Sequence, residues 1–71
     1  MSDNQLERGI SELLKARHIG GLRWFHVEAR LGIATIRAQV TSAFARVACY
    51  ECCRHMPGVR RVIDQIEIAA G

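Results

Sequence analysis

Three cysteines crowd into five positions as Cys49-x-x-Cys52-Cys53, with His55 two residues beyond. Such a cluster could hold a soft metal or run thiol–disulfide exchange. Zinc needs four converging ligands, and no second Cys or His pair at finger or ribbon spacing stands elsewhere; His18 and His26 would have to be recruited from separate elements. A redox Cys-x-x-Cys draws its depressed thiol pKa from a helix N-terminus. Here the thiols fall between the middle and the C-terminal end of a predicted helix, where the dipole disfavours thiolate and Arg46, Arg54 and His55 offset it only in part. Cysteine is also a small hydrophobe that is commonly buried. The cluster is therefore expected to fill core, with no metal and no cofactor. No paired carboxylates, nucleophile with a base, or phosphate loop emerges from the other spacings, so catalysis is not expected.

The second set of residues is cationic. Ten Lys plus Arg against seven Asp plus Glu leave a net charge of +3, and nine of the ten are Arg, the side chain suited to planar pairing with phosphate or carboxylate. They fall into small groups: Lys15, Arg17 and His18; Arg23; Arg30 and Arg37; Arg60 and Arg61. The imbalance permits an anionic partner without demanding one, and scattered arginines also occur as ordinary solvated charge. Nucleic acid is disfavoured. Gly20-Gly21 is not the Gly-x-x-Gly loop of a KH module, and Trp24 alone does not make the paired aromatics of an RRM.

Positioning these residues falls to five predicted elements. Leu6, Ile10, Leu13 and Leu14 recur at helical spacing between Asn4 and His18, with Asn4 and Glu7 in the form of a capping box and Gly20-Gly21 as the stop. Gly9 within it costs about 1 kcal/mol relative to Ala, so packing of the leucine stripe must hold the helix. From Leu22 to Leu31 the pattern has period two, with Phe25, Val27 and Ala29 on one face and Trp24, His26, Glu28 and Arg30 on the other. After Gly32, Ala34, Ile36, Ala38 and Val40 oppose Thr35, Arg37 and Gln39, so the two strands read as a hairpin whose tip, Leu31-Gly32, replaces the favoured Asn-Gly. Thr41-Ser42 caps a second helix running to about Met56. Its inner face is expected to hold Phe44, Ala45, Ala48, Cys52 and Met56, with Cys49 at the shoulder and Arg46, Tyr50 and Arg54 opposite. Pro57-Gly58 stops that helix, and a third strand follows with Val62, Ile66 and Ile68 aligned on one side and Asp64 interrupting them.

Seventy-one residues fit one domain over the whole chain, 1–71, with a thin core and no room for a large enclosed active site. The fold class expected is α+β in the order α-β-β-α-β, with two helices on one face of a three-stranded sheet and the other face open. That open face carries Trp24, joined by Ile63 and set among His26, Arg30, Arg37, Gln39, Gln65 and Glu67. It reads as a mixed contact surface for a homodimer or a protein partner. A slip of one residue at the strand start would instead lay Trp24 over the sheet edge or under Gly20-Gly21. No apolar run reaches the length of a membrane span, and Met1 to Gln5 lacks the basic start and apolar middle of an export signal, so a cytoplasmic, reducing setting, free or peripheral to a membrane, is expected of the sequence as written.

The stretch from Phe25 to Val40, FHVEARLGIATIRAQV, followed by an amphipathic helix and then MPGVRRVIDQIEI over Met56 to Ile68, resembles the BON domain, the family named for bacterial osmotically induced and nodulation proteins. The likeness covers about two thirds of the chain. It rests on Gly32 at the hairpin tip, Thr35 and Ile36, the Pro57-Gly58-Val59 turn, and Val62, Asp64, Ile66 and Ile68. Departures are Ala38, where the family commonly carries Gly, and Leu31, where it carries a polar residue. The family also places Ala or Val where the helix cysteines stand. The resemblance implies a non-catalytic module that attaches to phospholipid surfaces or to envelope partners in stress tolerance. On that reading the contact residues are Lys15, Arg17, Arg23, Trp24, Arg30, Arg37, Arg60 and Arg61, and the structural turns are Gly32, Pro57 and Gly58.

Overall fold

The computed structural model describes residues 2–69. Helix α1 (Asp3–Arg17) is followed by strands β1 (Leu22–Arg30) and β2 (Ile33–Val40), helix α2 (Ala43–Arg54) and strand β3 (Arg61–Ile68). β2 is central: it pairs antiparallel with β1 and parallel with β3. The parallel pair requires a crossover, which α2 supplies. Both helices cover one face of the sheet, where Leu6, Ile10 and Leu14 of α1 and Ala45, Cys49 and Cys53 of α2 meet Val27, Ala29, Ala34, Ile36, Ala38, Val40 and Ile66. The class and element order match those read from the sequence.

The start of α1 differs in a consequential way. Ser2, not Asn4, is the N-cap: its hydroxyl accepts from the Gln5 N–H at 3.2 Å, and Oε1 of the Gln5 side chain accepts from the Ser2 N–H at 3.0 Å. Asn4 is inside the helix, and Glu7 is free for another task. Its Oε2 accepts from the backbone N–H of Ala29 at 2.8 Å, while Asp3 Oδ1 accepts from that of Leu31 at 3.1 Å. The first two turns of α1 thus seal part of the outer edge of β1.

β1 stops at Arg30, and Leu31 belongs to the hairpin turn. Both tip residues have positive φ, 51° for Leu31 and 82° for Gly32, as a two-residue turn that follows the sheet twist demands. Gly32 is further constrained because a Cβ there would lie 2.8 Å from Cδ of Arg60. Pro57 and Gly58 form the second predicted turn, closed by the Val59 N–H donating to the Met56 carbonyl at 3.1 Å.

Two expectations about faces need correction. α2 buries Ala45, Cys49 and Cys53, while Phe44 is 83% exposed. The apolar arc of this helix is wider than the stripe the core can accept, and β2 and β3 select its Cys49 side. Phe44 and Ala48 instead border a cleft between α2 and the C-terminal end of α1, while Cys52 and Met56, which line the same cleft, are half-buried and pack against the core as expected. Ile68, expected inside with Val62 and Ile66, is 47% exposed at the end of the edge strand β3, although Val40 beside it is buried.

Candidate functional site

The face of the sheet that neither helix covers is built from alternate residues of all three strands. The registers align them in four rows: Trp24–Gln39–Glu67, His26–Arg37–Gln65, Glu28–Thr35–Ile63 and Arg30–Ile33–Arg61. Trp24 reaches this face by alternation with His26, Glu28 and Arg30, and a β-bulge at Arg23 resets the side of Leu22. Without it, Leu22 and Trp24 would share a side; with it, Leu22 packs against the core and Trp24 stands opposite, bordering a shallow depression with Arg37, Gln65 and Glu67. The register keeps Trp24 opposite Phe25, and the indole also borders the cleft along the outer edge of β1.

The charges on this face are unevenly satisfied. Glu28 is met by Nε2 of His26 at 3.2 Å. Arg30, Arg37 and Arg61 are in no ion pair among the described residues. Six residues of strand separate Trp24 from Arg30, about 20 Å, so the three arginines and the indole span the length of the slab rather than converge on a point. An extended contact fits this spacing; capture of one small anion does not.

The other predicted contact residues divide. Arg60 lies over Gly32 beside the hairpin tip, next to Leu31, which is 81% exposed. Lys15 borders a cleft along the outer edge of β1 together with Trp24 and His26. Arg23 stands in the bulge and is partnered. Arg17 is the outlier: it sits in the helix layer, near Phe44 and Cys52, facing away from the slab. Sequence reasoning put Leu31 at the hairpin tip, where it is exposed, but missed the exposure of Phe44, which nothing local marked.

The cysteine cluster is taken apart by the helix. Cys49 and Cys53 are fully buried, one turn apart, and burial, reinforced by neighbouring Cys and Asp64 charge, pushes their thiols from 9.0 up to about 11 and about 12 respectively. Cys52 is half-buried on the α1 side. His55 turns outward, its Nε2 2.8 Å from Oε2 of Glu51, whose carboxyl Arg54 and His55 hold below the usual range. Among the described residues no three His, Cys, Asp or Glu side chains converge as a metal ion would need.

Asp64 has a local explanation. Its Oδ2 accepts from Nη2 and Nε of Arg46 at 3.1 and 3.3 Å, and its Oδ1 accepts from the Ile66 N–H at 2.9 Å. The interruption of the apolar side of β3 is thus a tie between strand and α2. No helix of the described residues is long and apolar enough to cross a membrane. No family model matches the chain, and no curated protein matches it either.

Proposed function

We propose that the protein is a non-catalytic binding module that docks on an anionic phospholipid surface through its open sheet face. The observation that carries this reading is the set of arginines in no ion pair among the described residues, Arg30, Arg37 and Arg61, aligned with Trp24 on one uncovered slab. A flat surface of phosphates can meet guanidinium groups spread over about 13 Å of strand, where a single ligand could not. Leu31 at the exposed tip, between Arg30 and Arg60, adds an apolar side chain at headgroup depth, and an indole is suited to the same interface. The resemblance to BON domains supports the same reading and suggests its setting, envelope upkeep and stress tolerance.

Co-sedimentation with vesicles tests it. The protein should pellet with phosphatidylglycerol-containing vesicles at low salt, stay in solution with phosphatidylcholine alone, and be released at high salt. Arg30→Glu with Arg37→Glu should abolish binding. Equal partition to neutral vesicles, or none to anionic ones at low salt, contradicts the reading.

One observation favours a second reading, a soluble adaptor that grips a protein partner. Glu28 and Glu67 share the face with the arginines, and Trp24, Ile33 and Ile63 scatter apolar surface among them, a mixture typical of protein interfaces. Failure of vesicle binding together with retained fold would select it.

A further inference from the structure

We propose that the outer edge of β3 is a homodimer interface, in which two copies pair β3 with β3 antiparallel about a two-fold axis at Asp64 to make one six-stranded sheet. The pairing would engage Arg61 of the open face and leave Arg30 and Arg37 there to meet an anionic surface.

The two edges of the sheet are not equivalent. On β1 the outward N–H groups of Ala29 and Leu31 are occupied by Glu7 and Asp3 of α1, a cover that discourages pairing there. On β3 the N–H of Ala69 donates to Val40 at 2.7 Å and that of Arg61 to Gly32 at 3.4 Å. Odd-numbered residues therefore turn their backbone toward β2, and by alternation Val62, Asp64, Ile66 and Ile68 turn theirs outward. No helix side chain occupies that row among the described residues; Ile66 donates to the carboxylate of Asp64, two residues away on the same strand. A partner carbonyl can replace that local acceptor.

Charge and register choose the occupant. A symmetric antiparallel pairing that extends the sheet must set odd residues against odd and even against even, since opposed side chains share a face. Centred on Asp64, it places Arg61 opposite Glu67 and Ile63 opposite Gln65 on the open face, twice each, and Val62 opposite Ile66 on the helix side. The two Asp64 carboxylates meet near the axis, each already held by its own Arg46. Centring on Ile63 sets Val62 against Asp64; centring on Gln65 sets Ile63 against Glu67 and leaves Arg61 without a charge. Of these three only the Asp64 register sets Arg61 against a carboxylate. It would also cover part of Ile63, which is 37% exposed in the single chain.

Sedimentation velocity of the full chain at low salt, from micromolar to near-millimolar concentration, tests the proposal. A dimer is expected for the wild type. Arg61→Glu and Glu67→Arg should each give monomer, and the double charge swap should restore the dimer, which separates a lost contact from a lost fold. Trp24→Ala should leave the dimer intact. A wild type that remains monomeric throughout, a dimer that survives both single reversals, a double swap that does not recover, or a dimer lost in Trp24→Ala would each overturn it.

Discussion

At the scale of single residues, two side chains occupy positions whose chemistry runs against their type. Leu31 holds φ at 51° in the hairpin turn, a conformation that costs an ordinary L-residue roughly 1–2 kcal/mol and that Asn tolerates far better. Its side chain is 81% exposed, so replacing it removes no core. Leu31→Asn should raise stability by about 1 kcal/mol in urea unfolding while weakening vesicle binding, because the apolar tip is lost. A destabilised Leu31→Asn would contradict the strain. The buried thiols of Cys49 and Cys53 are the other case. Their folded-state pKa values, about 11 and about 12, lie above the ordinary 9.0. Between these limits the folded state holds protons that the unfolded state has released. The contribution is thus fully present below pH 9 and is lost as pH rises toward 12, by at most about 1.4 kcal/mol per pH unit for each thiol. The urea midpoint should fall between pH 8 and pH 10.5, and Cys49→Ala with Cys53→Ala should flatten that fall; an unaltered slope in the double variant would contradict it.

At the scale of elements, α1 is held by packing against β1 and by its own cap rather than by propensity, since it carries Gly9 in its second turn. A Cβ at Gly9 would meet only the flexible end of Met56, at 3.7 Å, an ordinary contact. Gly9→Ala should therefore stabilise the fold by about 1 kcal/mol, measured as a shift of the urea midpoint, and a loss of stability would show that Met56 cannot give way. The element order, the hairpin and the open face were legible because Leu6, Ile10 and Leu14 keep helical period and Ala34 to Val40 keep strand period without a break. The cap of α1 was misread because Asn4-Glu7 and Ser2-Gln5 carry equivalent cap chemistry, and only tertiary contacts, Glu7 to Ala29 and Asp3 to Leu31, separate them. The phase of α2 was misread for a related reason. Phe44, Val47, Ala48, Cys49, Cys52 and Cys53 make an apolar arc too broad to name its centre, so the sheet decides. Of the candidate site, alternation placed Trp24, Arg30 and Arg37 together; Arg61 joins them through the β2–β3 register, which pairs it with Ile33, and the bulge at Arg23, which puts Leu22 and Trp24 on opposite sides, has no sequence signature.

At the scale of the whole molecule, one face of a single thin layer is spent on the core and the other carries the account of function. The chain has one Trp, and it stands on that open face, 46% exposed, so its emission reports occupancy of the slab directly. Titrating the protein with phosphatidylglycerol-containing vesicles at low salt should shift the Trp24 emission to shorter wavelength as the indole leaves water, and high salt should reverse the shift as the arginine–phosphate contacts are screened. Emission that stays unchanged while the protein is bound to vesicles, or that shifts equally with neutral ones, would contradict docking through this face.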